Sequence, residues 1–167
     1  KEHGGKTYHG ASTIIERFLS FYLEAPYLRD YFIENGLLVD SIETSTDWSN
    51  FRNLYDVVEM TFRNVCNDRR VHVSCHVSHL YTHGASLYFT FFAVPEKGGE
   101  LELWRRIKHA VTTAIIDNGG AESHHHGVGS IHKDYFKKEM GETYVKVLAK
   151  MKSAFDPARI FNPGKLI

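Results

Sequence analysis

RRVHVSCHVSHLY, residues 69–81, and ASLYFTFFAV, residues 85–94, decide the fold. In the first, Val71, Val73, Cys75 and Val77 alternate strictly with His72, Ser74, His76 and Ser78, the period of two expected of a half-buried strand. The second is dense in aromatic residues and low in polarity, which predicts a central strand covered on both faces. LLVDSIETS (37–45) is short and rich in β-branched residues, so it reads as a strand with Val39, Ser41 and Glu43 facing one way and Asp40, Ile42 and Thr44 the other. Between these strands, Phe51, Leu54, Val58, Phe62 and Val65 recur at spacings of three and four, predicting a helix from Trp48 to about Val65 capped by Thr46 or Asp47.

Beyond the aromatic strand, Gly98 and Gly99 lead into ELELWRRIKHAVTTAIIDN (100–118). The expected inner side of that helix is Leu103, Ile107, Ala110, Val111, Ala114 and Ile115, and Asn118–Gly120 stop it. AES (121–123) then begins a short strand. The order β, α, β, β, α, β predicts an α+β fold on the ferredoxin-like split βαβ plan, an antiparallel sheet with both helices on one face.

The flanks are helical. Residues 1–11 are Gly-rich and polar and read as a tail or linker, leaving 12–167 as the domain. Ser12 caps a helix over Thr13–Ala25, where Ile14, Phe18, Phe21 and Tyr22 fall near helical spacing. Pro26 either breaks that helix or opens a second one, PYLRDYFIEN, closed by Gly36. After residue 130, helical material runs from about Ile131 to Ala154 with an interruption near Gly141. DPARIFNPGKLI (156–167) cannot be helical, and a fixed extended tail is expected.

Composition narrows the function. The chain has 167 residues, 43% hydrophobic and 24% charged, enough to close its own core. Twenty basic and twenty acidic residues balance to zero, so nothing steers the whole molecule onto nucleic acid or anionic lipid. Sheet aromatics such as Phe89, Phe91 and Phe92 invite an RNA-stacking reading, but the neutral charge and the lack of a basic, glycine-bearing RNA-binding pattern argue against it. Two cysteines, Cys66 and Cys75, cannot frame a disulfide scaffold and suit a reducing compartment. No stretch approaches the ~20 apolar residues of a membrane span. The start at Lys1, without a signal-peptide pattern, leads us to expect a processed chain or a fragment.

Eleven histidines are more than ordinary composition provides, and His124, His125 and His126 are consecutive. Zinc has little support there. Adjacent side chains diverge, so at most two of the three converge on one ion; His72 and His76 lie roughly 13 Å apart along a strand. No metal is expected. Gly127, Val128 and Gly129 follow the run, small residues that let backbone N–H groups approach a ligand. Histidines beside them can move protons near neutral pH or donate to an oxyanion or phosphate. Arg29, Tyr88 and the Asn162–Lys165 tail each also admit a purely structural role: an exposed ion pair, a buried aromatic and a terminal clasp.

RFLSFYLEAPYLRD, ESHHHGVG and FDPARIFNPGKLI together resemble the C-terminal half of FAD-linked oxidases of the vanillyl-alcohol oxidase type, over about Arg17 to Leu166. Three histidines, where the 2-hydroxy-acid dehydrogenases of that superfamily carry a GEHGxG-like segment, favour the ether-lipid-forming branch, the alkyldihydroxyacetonephosphate synthases. The resemblance implies a substrate-binding cap over FAD, with the flavin held mainly by an N-terminal domain that this chain, lacking a Gly-rich nucleotide loop, does not include. It implies Arg29 as the substrate-binding arginine, Tyr88 as acid/base and His124, His125 and His126 as catalytic. Tyr88, with an ordinary pKa near ~10, would need a base or cation beside it. His126, Asn162 and Lys165 would approach the cofactor. The implied reaction replaces the acyl group of an acyl-dihydroxyacetone phosphate by a fatty alcohol without net redox; oxidation of a 2-hydroxy acid is the alternative. A lipid-like small-molecule substrate, the chain's own FAD domain, peripheral membrane association and a homodimer are the partners expected, and nucleic acid is not. The terminal KLI is not the peroxisomal SKL address, so a cytoplasmic location is expected.

Overall fold

The two deciding stretches form adjacent strands, and the rest of the chain is arranged around them. In a computed structural model, which describes residues 11–67 and 70–167, the elements are α1 (Ala11–Glu34), β1 (Leu38–Asp47), α2 (Phe51–Cys66), β2 (Val71–Leu80), β3 (Gly84–Ala93), α3 (Glu100–Asp117) and α4 (Lys133–Phe155). The linker expected over 1–11 lies, but for Ala11, outside the described residues. The sheet is antiparallel with order β1-β3-β2, so the aromatic strand is central, as its composition predicts. Both helices of the α+β plan lie on one face. Leu54, Val58 and Phe62 of α2 and Ile107, Val111 and Ile115 of α3 bury against Ile42, Leu87, Phe89 and Phe91. Each such side chain contributes roughly 1.5–3 kcal/mol by leaving water.

The register places the other face with equal definition. Glu43 stands opposite Tyr88 and Tyr88 opposite His76, so one row crosses all three strands; Ser41, Thr90 and Ser74 form the next. That face is polar and only half covered, because Tyr88, Thr90 and Phe92 are partly exposed while their neighbours Phe89, Phe91 and Ala93 are buried. The expectation of cover on both faces is corrected accordingly. A bulge between Val77 and His79 shifts the phase of β2. Strict alternation therefore ends near Cys75, and Val77 is exposed.

Four further expectations change. Residues 121–123 do not form a strand among the described residues. Ala121 donates to the Ser45 carbonyl at 3.0 Å and accepts from Thr44 Oγ1 at 2.7 Å, as an edge strand would, and the chain then turns away over the sheet. Thr46 and Asp47 do not cap α2, because β1 continues through both. Asn50 is the first flanking residue, and its amide group is used instead to reach the Asn118 carbonyl at 2.7 Å and Thr46 Oγ1 at 3.1 Å, tying the start of α2 to the end of α3.

Pro26 lies within a single helix. The Tyr22 carbonyl loses its donor there, which an exposed helix can leave to solvent. Gly36, at φ 83°, ends α1, with Leu37 N–H donating back to the Phe32 carbonyl at 2.9 Å. The tail is fixed by turns rather than extension: the buried Asp156 carboxylate collects Ile160 N–H, Phe161 N–H and Lys152 Nζ, and Leu166 N–H reaches the Gly129 carbonyl at 3.0 Å. The break in α4 is at Gly141, at φ 77°, where it was expected.

The apolar stripe of α1 is exposed along Ile14, Phe18, Phe21 and Tyr22, and only its end packs on the sheet, Phe32 edge-on to Phe92 with centroids 5.6 Å apart. No described helix is long and apolar enough to cross a membrane. The close β1–β3 approach depends on Gly84, where a Cβ would lie 2.2 Å from the Thr46 carbonyl oxygen. Gly84→Ala should therefore lower stability by about 1–3 kcal/mol, read as a lower denaturant midpoint. An unchanged midpoint would mean that the two strands are farther apart than described.

Candidate functional site

Glu43, 2% exposed in the middle of β1, organises the polar face of the sheet. Its Oε1 accepts four hydrogen bonds, from the backbone N–H groups of His124 (2.8 Å), His125 (2.8 Å) and His126 (2.9 Å) and from the Ser123 hydroxyl (2.7 Å). Its Oε2 lies 3.3 Å from His125 Nδ1. Burial alone would push this carboxyl up, but the His125, His126 and His124 amides and the Ser123 hydroxyl outweigh it and hold Glu43 below the usual carboxylate range. Converging amides of this kind form an anion nest, here filled by the protein's own carboxylate. Gly127 (φ 78°) and Gly129 (φ 55°) let the chain leave the nest in a conformation that side chains resist.

The nest sets two imidazoles, His125 and His126, over Tyr88, and His76 of β2 stacks beside it. The Tyr88 ring lies 5.2 Å from His126, 5.8 Å from His125 and 5.0 Å from His76. Its hydroxyl donates to Ser41 Oγ at 3.0 Å. Burial, first, and the neighbouring His125 hold the His126 imidazole below its ordinary range against the pull of Glu43, so His126 is neutral near pH 7 and can accept a proton. His124 points the other way, its Nε2 2.9 Å from the Tyr81 hydroxyl. The ring nitrogens of His79, His124 and His125 all come within 4.8 Å of one another. Spacing within the run could not reveal this group, because its third member comes from the β2 bulge.

Arg29, His126 and Lys165 line one cleft of about 520 Å3 at the outer edge of β1, together with Ser41, Trp104, Lys108 and the loop from Gly127 to His132. Tyr88 does not line it directly. It meets the cleft through His126 and Ser41. His124 instead lines a cavity of about 660 Å3 on the far side of the loop, with Tyr81, His83, Lys138 and Glu139. The sequence-predicted residues are thus divided by the loop that carries three of them. Asn162 lines neither space; its carbonyl accepts the Lys165 N–H at 3.2 Å. Among the described residues no carboxylate pairs with Arg29, so the ion pair considered from sequence is not its role here.

Sequence reasoning passed over Glu43, Ser41, Lys108 and the Glu122–His132 pair. Glu43 was assigned to a face but not to a partner, since its partners are backbone amides about 80 residues away, which no side-chain pattern announces. Lys108 Nζ donates to the Ser41 carbonyl at 2.6 Å and lies 3.2 Å from Asp40 Oδ2. Burial raises Asp40, but Lys108 and the Trp104 indole N–H, at 2.7 Å, bring it below its ordinary range. That network stiffens the cleft wall beneath Ser41.

Glu43→Gln keeps the shape and replaces a charged acceptor by a neutral amide. It should cost about 3 kcal/mol of stability by chemical denaturation, since charged hydrogen bonds are lost while their donors stay buried. A loss below about 0.5 kcal/mol would show that the loop holds its form without the carboxylate.

Comparison with known proteins gives this geometry a context. Residues 15–166 match the family described as FAD linked oxidases, C-terminal domain. Alkyldihydroxyacetonephosphate synthase of Trypanosoma brucei brucei is 32% identical over 146 residues, which is 86% of this chain and 24% of that protein. Mitochondrial D-lactate dehydrogenase [cytochrome] of Kluyveromyces lactis is 47% identical over 51 residues, 30% of this chain and 9% of that protein. A solved structure of alkyldihydroxyacetonephosphate synthase superimposes with a TM-score of 0.61 at 25% identity, over 84% of this chain and 22% of that one. The chain spans about a quarter of the length of the synthases it matches. The histidine loop, the sheet that carries it and the tail that closes on it all fall within the matched residues, and the chain belongs to the FAD-linked oxidases as their C-terminal domain.

Proposed function

We propose that this chain is the substrate-binding cap of an FAD-dependent enzyme of the alkyldihydroxyacetonephosphate synthase type, which exchanges the acyl group of an acyl-dihydroxyacetone phosphate for a fatty alcohol. The observation that carries the reading is the packing of Tyr88 beneath His125 and His126, next to a cleft that holds Arg29 and Lys165. His125, His126 and the half-exposed Tyr88 would face the flavin ring, whose remaining contacts the enzyme's other domain would supply. Bound FAD supplies an electrophilic, electron-accepting centre.

The chain's own residues supply the rest. Arg29 and Lys165 hold the anionic group, Arg29 with a planar fork suited to phosphate. Tyr88 first passes its hydroxyl proton to the neighbouring His126 and then, as phenolate, takes the proton from the carbon beside the substrate carbonyl, with Ser41 stabilising the phenolate oxygen. His126, kept neutral, accepts a proton where a cation could not. Lys108 and Trp104 hold the cleft wall in place. The apolar side of α1, along Ile14, Phe18 and Phe21, is exposed and would offer the FAD domain a surface to dock on.

Oxidation of a 2-hydroxy acid is the second reading, favoured by the segment shared with a D-lactate dehydrogenase. Both activities are separated in the full-length flavoenzyme. A synthase turns over acyl-dihydroxyacetone phosphate and fatty alcohol with no electron acceptor; an oxidoreductase bleaches its flavin on adding 2-hydroxy acid and needs an acceptor to recover. Tyr88→Phe should retain FAD and lose at least about 100-fold in turnover. Unchanged turnover would remove Tyr88 from the chemistry.

A further inference from the structure

Behind the cleft lies a buried pair that the reaction has not yet used. Glu122, 4% exposed, sits where the chain leaves the edge of β1, and its Oε2 is 3.0 Å from Nδ1 of His132. The two atoms lie at ion-pair distance without hydrogen-bond geometry between them, and neither has a hydrogen-bond partner among the described residues. The Glu122 backbone N–H is held in turn by Glu139 Oε2 of α4, at 2.7 Å. His132 precedes α4 and lines the same cleft as Arg29, His126 and Lys165. Because Nδ1 is turned toward Glu122, Nε2 is the ring's remaining polar atom.

We propose that His132, oriented by the Glu122 carboxylate, is a specificity-determining binding residue that favours a phosphate monoester over a carboxylate in this cleft. This rests on the functional reading above and adds the residue through which its phosphate head group is preferred to a carboxylate. Asp40, the carboxylate on the cleft wall, is already engaged by Lys108 and Trp104. Arg29 and Lys165 have no carboxylate partner among the described residues. Two fixed cations more than balance a carboxylate. A phosphate monoester carries close to two charges near pH 7 and three acceptor oxygens, and so has use for a third donor. The imidazolium form has an N–H at each ring nitrogen, one for Glu122 and one for a phosphate oxygen in the cleft. Glu122 is then a positioning residue, acting through His132.

The test uses the full-length flavoenzyme with acyl-dihydroxyacetone phosphate and its phosphate-free analogue. His132→Gln should raise KM for the phosphate ester about tenfold, as expected for one charged hydrogen bond, with the loss falling on KM rather than kcat. KM for the phosphate-free analogue should not move. His132→Arg, which restores a fixed charge, should bring KM back to within about threefold of wild type. Glu122→Gln should act in the same direction as His132→Gln. An FAD-loaded His132→Gln enzyme with wild-type KM, or a rise in KM that His132→Arg fails to rescue, overturns the role of His132 while leaving the synthase reading intact. An enzyme that ignores the phosphate ester and oxidises a 2-hydroxy acid overturns the functional reading, and the preference for phosphate falls with it.

Discussion

One buried carboxylate determines how this domain presents its chemistry. Glu43 is placed by strand register in the middle of β1, on the face that the helices leave open. A bare carboxylate there would be costly. Three consecutive backbone amides and a serine hydroxyl converge on Oε1 and satisfy that oxygen, while Oε2 has no hydrogen-bond partner among the described residues and lies 3.3 Å from His125 Nδ1. Those amides belong to the three histidines. The same bonds that neutralise the cost of burial therefore curl residues 123–126 over the sheet and turn the expected fourth strand into a loop.

From that constraint the division of labour follows. The helix-covered face of the sheet is an ordinary apolar core, with Phe62, Phe89 and Phe91 fully buried. The opposite face carries Tyr88 between His76 and the histidine loop. Because successive imidazoles leave one nest in different directions, His126 faces the cleft with Arg29 and Lys165, while His124 joins Tyr81 on the far side. Consecutive identical residues thus occupy unlike surroundings. Burial holds the His126 imidazole below its ordinary range. The C-terminal tail completes the arrangement, Leu166 pairing with the Gly129 carbonyl so that the neighbouring Lys165 reaches the cleft.

Much of the fold was legible in the sequence because its signals are local. The period-two run from Val71 and the aromatic run through Phe91 announced paired strands, and the stripes through Phe62 and Val111 announced the helices that cover them. What was misread depends on distant partners. Nothing around Ala121 reveals that its continuation will be captured by Glu43 instead of pairing along β1. Pro26 reads as a boundary, yet the solvent-exposed α1 accommodates it. Within the site, the histidine run and Arg29 stood out by composition and by resemblance. Glu43, Glu122 and His132 did not, because an isolated acidic residue on a strand looks like solvated surface until its burial is known.

Exchange of the His124, His125 and His126 backbone amides as a function of pH tests this account most directly. Glu43 has a folded pKa below its unfolded value, so its contribution is fully present above about pH 4.5 and is lost as pH falls through the lowered folded value. The three amides should stay protected from neutral pH down past the ordinary carboxylate range, then lose protection together as Glu43 takes up a proton. Rapid exchange at neutral pH, or three amides that open independently of one another, would contradict a loop anchored on a single carboxylate.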